Sequence, residues 1–214
     1  MDRYKETFET WNKVASHYQE KFMNLDLYNE TYDIICNTLV KDKSRLLEVG
    51  CGPGNITKYL LNKKPDFNIF GIDVSPNMIE LASKNNPSAS FSVLDVRHIS
   101  ALNTKFDGII CGFCLPYLSP SDTEKFISDS YSLLNMDGLI YISFVEGEYS
   151  MSGFKTGSTG DRCYFYYHQL DKLKKQFVEC KFEVLKIVKV EYKINDNEKE
   201  IHTILIANKK NGSA

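Results

Sequence analysis

The sequence predicts an α/β protein: a doubly wound, mostly parallel seven-stranded sheet with helices on both faces and a C-terminal antiparallel hairpin. Three observations carry that expectation. Between Leu46 and Val145, short apolar runs alternate with segments of helical period; glycines crowd the first crossover, Gly50-Cys51-Gly52-Pro53-Gly54; and the chain closes on two β-rich runs around Asn195-Asp196-Asn197. The 214 residues, 43% hydrophobic and 25% charged, suffice for one sizeable core, so a single domain over 1–214 is expected.

Phe8, Trp11, Val14, Ala15, Tyr18 and Phe22 recur at helical spacing and predict an opening amphipathic helix. A second helix over Tyr28–Val40 follows, and the two form a helical cap over 1–42. Leu46–Val49 is the first strand. Asn55–Lys64 then carries Ile56, Tyr59 and Leu60 on one face, with Pro65 as its stop. Phe67–Ile72 is the second strand, and Ser75-Pro76 reads as the N-cap and first residue of a helix through Ala82. Ala89–Leu94 and the almost wholly apolar Phe106–Cys111 are the next strands. Ser121, with Glu124 three residues on, predicts a capping box, and Asp137-Gly138 turns that helix into a strand over Leu139–Val145. From Glu146 to Arg162 the rhythm breaks. Gly147, Gly153, Gly157 and Gly160 among Ser and Thr predict a long polar loop, part of an insertion over 146–168 on the substrate side. A helix over His168–Phe177 and strands over Phe182–Tyr192 and Glu200–Asn208 complete the chain as a terminal hairpin.

Charge and composition exclude several classes. The net charge is −2 and basic and acidic residues interleave, so the basic surface that nucleic acid requires is missing. No run approaches the ~18 apolar residues of a membrane span, and the polar N-terminus lacks an apolar leader; no membrane contact and a cytoplasmic location are expected. The six cysteines then read as reduced thiols. Cys111-Gly112-Phe113-Cys114 has the spacing of a redox pair, but Leu115-Pro116-Tyr117-Leu118 follows it in place of a helix that would lower a thiol pKa. A zinc site would need a second pair, so no metal is expected.

Open α/β sheets bind ligands beyond the carboxyl ends of their strands, chiefly on the first strand-to-helix loop. Gly50, Gly52 and Gly54 lie in that loop, where a side chain would hold a ligand off. A diphosphate wants free N–H donors and no carboxylate nearby. Here Glu48 precedes the first glycine and Pro53 removes a donor. Asp73 ends the second strand, about 20 residues past the loop, where an acid takes the hydroxyls of an adenosine ribose, and Asp95 ends the third. Three acids on neighbouring strand tips call for a ligand that brings positive charge and donors. S-adenosylmethionine brings an ammonium, a sulfonium, ribose hydroxyls and an adenine amino group.

The runs Leu47–Asn55, Gly71–Ile79, Asp95-Val96 and Phe106–Tyr117 resemble the successive motifs of the class I S-adenosylmethionine-dependent methyltransferases. The resemblance implies that Gly50, Cys51, Gly52 and Asn55 wrap the methionine moiety, with Glu48 supporting the loop. It implies that Asp73, with Val74 beside it, binds ribose, that Met78 packs on the adenine, and that Asp95 and the Val96 amide read the adenine edge. The Cys111 carbonyl would face the methionine ammonium, and Tyr18 would lie over the cofactor. Pro116 stands where members often have histidine, so no role is carried to it. The Asn/Asp-Pro-Pro-aromatic motif of enzymes that methylate nucleic-acid amino groups is missing too, in agreement with the charge; the resemblance is to the small-molecule type, so a small-molecule acceptor is expected.

Methyl transfer is an in-line displacement that needs alignment and exclusion of water more than a side-chain catalyst. A base helps when the nucleophile is a hydroxyl, phenol or ammonium. His168, after the glycine-rich stretch, is the candidate base; His17, Tyr164, Tyr166 and Tyr167 are candidates for the acceptor pocket, the alternative being that His168 caps the next helix and the tyrosines alternate in and out of a strand as packing. His98 and His202 read as surface or strand positions. Two other functions share this fold: an NAD(P)-dependent oxidoreductase, for which Tyr59 and Lys63 mimic a reductase dyad, and a binding protein for the same adenosyl compound that performs no transfer.

Overall fold

The computed structural model describes residues 2–195 and 198–210. A seven-stranded sheet runs in the order β3-β2-β1-β4-β5-β9-β8, formed by β1 (Arg45–Val49), β2 (Asn68–Asp73), β3 (Ser90–Val93), β4 (Phe106–Cys111), β5 (Leu134–Val145), β8 (Phe182–Asn195) and β9 (Glu198–Lys209). The first five are parallel; β9 runs antiparallel to β5, and β8 to β9. Strand order therefore reverses between β1 and β4, the crevice where such sheets place ligands.

The central strands are apolar because both faces are covered. On one face Leu47, Ile109 and Ile140 pack with Phe126 and Phe177, from α6 (Pro120–Leu133) and α7 (Leu170–Glu179). On the other, Leu46, Ile110 and Tyr141 pack with Ile35 of α3 (Asn29–Thr38) and Leu60 of α4 (Asn55–Lys63). Every one of these side chains is at most 1% exposed, and burying each stabilises the fold by roughly 1.5–3 kcal/mol.

Several boundaries differ from the sequence reading. The opening helix is two, α1 (Arg3–Lys13) and α2 (Ala15–Phe22), broken at Val14. Ser75 caps α5 (Pro76–Asn85) by accepting from the Met78 amide, as its spacing predicts. The cap of α6 is Ser119, which accepts from the Asp122 amide, and not Ser121, because Pro120 takes the first helical position and moves the start two residues upstream. Strand β5 begins at Leu134 and runs through the expected Asp137-Gly138 turn, which Asp137 crosses at φ 59°. The stretch expected as a polar loop contains a small antiparallel hairpin, β6 (Gly153–Thr156) with β7 (Arg162–Phe165). The terminal hairpin forms in β8 and β9, but Asp196 and Asn197 of its expected turn lie outside the described residues. Among the described residues no helix is long and apolar enough to cross a membrane.

Candidate functional site

A cavity of about 290 Å³ opens at the carboxyl ends of β1, β2 and β4. Its floor is the glycine loop. Gly50, Gly52 and Gly54 adopt φ of 64°, 52° and 81°, and a Cβ on Gly50 would meet Cys114 Cβ at 2.8 Å, so both turn and packing require glycine there. The Cys51 amide donates to the Ile72 carbonyl (3.0 Å) and ties the loop to β2.

Two acids face this floor. Asp73 accepts from the Gly52 amide at 3.0 Å and from the Ser75 amide at 2.9 Å; burial nonetheless raises its pKa above the ordinary carboxylate value, those amide bonds opposing the shift. Glu48 is 1% exposed in a run that otherwise presents hydrophobes. The Thr57 hydroxyl donates to one of its oxygens, the other has no partner, and burial pushes its pKa up to about 8. Tyr18 of α2 closes the loop from above, its ring 3.7 Å from where a Gly52 Cβ would stand, and burial pushes its hydroxyl up to about 12. Asn55 and an apolar slot of Val74, Met78, Leu94 and Val96 complete this end.

The opposite end is aromatic. Trp11 stands edge-on to Tyr18 and Tyr117, with centroids 5.5 and 5.2 Å apart. Phe113, two residues past the β4 tip, stands at φ 56°, costly for a bulky residue. Its ring packs at 5.0 Å from Tyr28 and 4.8 Å from His202. Phe165, Tyr192 and Glu200 also line this end.

Most expected ligand-side residues gather at the cavity: Tyr18, Glu48, Gly50, Cys51, Gly52, Asn55, Asp73, Val74, Met78 and Val96. Two do not line it. The Asp95 carboxylate is taken by Arg97, whose Nε lies 2.9 Å and Nη2 2.5 Å away, so it is no third free acid. Cys111 lies behind Gly112, which does line the cavity. The expected base and acceptor residues are elsewhere. His168 is buried, its Nε2 2.9 Å from the Leu115 carbonyl, and burial lowers its pKa; it packs and does not reach the cavity. His17 is exposed beside Glu20. Tyr164 and Tyr166 stack with Arg3, whose guanidinium lies 4.7 Å over the Tyr164 ring, while Tyr167 only backs Glu200 from 3.5 Å. Phe165 is the residue of that run on the cavity: it ends β7, where side chains alternate, so its neighbours Tyr164 and Tyr166 face away towards Arg3. His202 does sit on a strand, as expected, but faces the cavity.

The rival chemistries fare poorly. Tyr59 and Lys63 both bind Asp33, at 2.8 and 3.1 Å, and neither lines the cavity. All six thiols are free, and the hydrogen bond to Cys111, with burial, pushes the Cys114 thiol well above its ordinary value, opposite to a redox-active pair.

Residues 46–138 match the family model described as a methyltransferase domain. Malonyl-[acyl-carrier protein] O-methyltransferase of Acetivibrio thermocellus is 33% identical over 139 residues, 61% of this chain and 48% of that protein. Carboxy-S-adenosyl-L-methionine synthase of Campylobacter hominis is 26% identical over 146 residues, 65% of this chain and 62% of that protein. The chain thus spans about half the length of the first relative. Among solved structures, the Burkholderia thailandensis 1,6-didemethyltoxoflavin-N1-methyltransferase, with its substrate and S-adenosylhomocysteine, superposes with a TM-score of 0.72 at 17% identity, covering 97% of this chain and 88% of that one. The Synechocystis magnesium protoporphyrin IX methyltransferase with bound S-adenosylmethionine gives 0.72 at 15% identity, covering 98% of each. These likenesses show a shared fold.

Proposed function

We propose, on the premise that residues 46–138 belong to the methyltransferase-domain family and the sheet to the class I S-adenosylmethionine-dependent fold, that this protein transfers the methyl of S-adenosylmethionine to a small-molecule acceptor. One observation carries the reading: a buried acid with an unpartnered oxygen, Glu48, and a half-buried one, Asp73, face a glycine floor beside an apolar slot. That donor set fits a cationic adenosyl compound. Asp73 would take the ribose hydroxyls, Val74, Met78, Leu94 and Val96 the adenine, and Gly50, Gly52 and Asn55 the methionine end. Cys111 and Cys51 shape the loop walls, and Asp95 with Arg97 holds the β3 tip. The bound compound supplies the methyl on a sulfonium; the chain's task is to align it and exclude water.

Residues 1–42 cap the site in this reading, and 146–168 flank the acceptor end of a single domain. The acceptor is a small molecule in this reading: aromatic side chains wall one end of the cavity, and the didemethyltoxoflavin and magnesium protoporphyrin named for the solved relatives are flat ring systems and not macromolecules. A carboxylated cofactor, as in the name of the Campylobacter relative, is not favoured, because among the described residues no Lys or Arg lines the cavity. Six free thiols suit a reducing compartment, in line with a cytoplasmic location. Thermal shifts with S-adenosylhomocysteine and with NADH test the reading. Stabilisation by the first alone, with label transferred from methyl-labelled cofactor to a small acceptor, is expected; stabilisation by NADH alone would overturn it.

A further inference from the structure

The cavity's aromatic end holds a polar chain that the cofactor does not need. The Tyr28 Oη lies 2.6 Å from His202 Nδ1, and His202 Nε2 faces Glu200 Oε2 at 3.5 Å. All three residues line the cavity, though they come from the start of α3 and from β9. His202 is held flat by Tyr192, stacked at 4.8 Å and 11°, and Phe113, at its strained φ, packs against both the histidine and Tyr28. A carboxylate beside Nε2 fixes the N–H there and leaves Nδ1 to accept from the Tyr28 hydroxyl. The Tyr28 oxygen is then free to accept from a ligand.

We propose that Tyr28, His202 and Glu200 form a proton relay, and that the methyl acceptor is an uncharged aromatic compound whose hydroxyl Tyr28 deprotonates. This rests on the methyltransferase reading. As the acceptor oxygen bonds to the methyl carbon, the carbon–sulfur bond breaks with its electron pair left on sulfur. The acceptor's proton passes to the Tyr28 oxygen while the Tyr28 proton passes to His202 Nδ1, and the imidazolium so formed faces the Glu200 carboxylate. Tyr28 is the catalytic residue; His202 and Glu200 act through it. An aromatic hydroxyl fits better than the alternatives. Carboxylate and phosphate acceptors lack a cationic partner among the lining residues. An ammonium would need a free anion at this end, whereas Glu200 is engaged by His202, and by Tyr167 at 3.5 Å. A flat ring matches walls made of Phe113, Tyr192 and Trp11.

The experiment uses the full chain with methyl-labelled S-adenosylmethionine and four probes: naphthol, naphthylamine, naphthalenethiol, and a nitrophenol already ionised near neutrality. Wild type should methylate naphthol in preference to the amine and thiol. Tyr28→Phe and His202→Gln should cut kcat on naphthol about a hundredfold while leaving nitrophenol turnover within a few-fold, because an ionised acceptor needs no base; Glu200→Gln should show the same split more weakly. Calorimetry with S-adenosylhomocysteine, expected to give unchanged affinity, shows that each variant is folded. Equal losses on both phenols, preference for the amine or thiol, or no transfer to either phenol by a protein that binds S-adenosylhomocysteine would overturn the relay and leave the methyltransferase reading standing. No binding by wild type would bring down both.

Discussion

The two ends of the cavity are built in opposite ways. The floor is local: Glu48, the three glycines and Asn55 fall within eight consecutive positions, and Asp73 is hydrogen-bonded to them across one strand pair. The aromatic end is assembled from Trp11, Tyr28, Phe113, Phe165, Tyr192 and His202, which only the finished fold brings together. A contiguous motif fixes geometry through backbone conformation, so it tolerates little change; a dispersed wall fixes only shape and can be altered residue by residue. The ligand common to a family belongs at the first kind of site and the ligand peculiar to one member at the second.

That contrast breaks if substitutions at the floor spare cofactor binding. Gly50→Val should have the largest effect, since it forces a β-branched residue to φ 64° against Cys114; affinity for S-adenosylhomocysteine by calorimetry should fall roughly a hundredfold, about 2.7 kcal/mol. Asp73→Ala should follow with a loss of about 30-fold and an intact fold, and unchanged affinity would remove the ribose assignment. Glu48 sharpens the contrast through pH. Its folded pKa of about 8 lies above the ordinary 4.5, so the folded state holds a proton that the unfolded chain releases. Its contribution to stability is complete below pH 4.5 and is lost as pH rises toward 8, by up to about 1.4 kcal/mol per unit. His168, lowered by burial from 6.5, tilts the curve the other way below that value, so the quantity to measure is the urea-derived difference between wild type and Glu48→Gln. The variant should gain relative stability steadily from pH 5 to 8, and a flat difference would mean that Glu48 is ionised throughout. Arg162→Ala, which removes a surface pair with Glu6, should have the smallest effect, moving Tm by no more than about 2 °C.

The sequence showed the floor and missed most of the wall for the same physical reason. Alternating period, glycine conformations and Ser75-Pro76 act over a few residues, so the sheet, five of its strands to within two residues at both ends, and the positions of Glu48 and Asp73 could be read directly. Which face of β7 meets the cavity is set by its packing on α1, and nothing in the run Tyr164–Tyr167 itself marks that face or the strand's end at Phe165. Glu200 and His202 did leave a signal: two polar residues of one parity just ahead of the apolar run Ile204–Ala207 in the final strand. Because β9 runs antiparallel to β5, pairing His202 with Val145, its head lies beside the carboxyl ends of the parallel strands, a placement that follows from the hairpin alone. Asp95 misled because the partner two residues on, Arg97, silences it by charge.

Thr7, Phe8, Trp11 and Phe165 line the cavity where α1 lies beside the β6–β7 hairpin. The seam has an outer and an inner layer: outside, Lys13 pairs with Asp161 at 2.8 Å and Arg162 with Glu6; inside, the Tyr164 amide donates to the buried Thr7 hydroxyl at 3.0 Å and Arg3 stacks over the Tyr164 ring. The outer ties weaken as dissolved ions shorten the screening length. The outer layer of this seam should therefore answer to the electrolyte around the protein: raising potassium chloride should quicken amide hydrogen exchange at Asp161 and Arg162 while the Thr7–Tyr164 bond beneath holds.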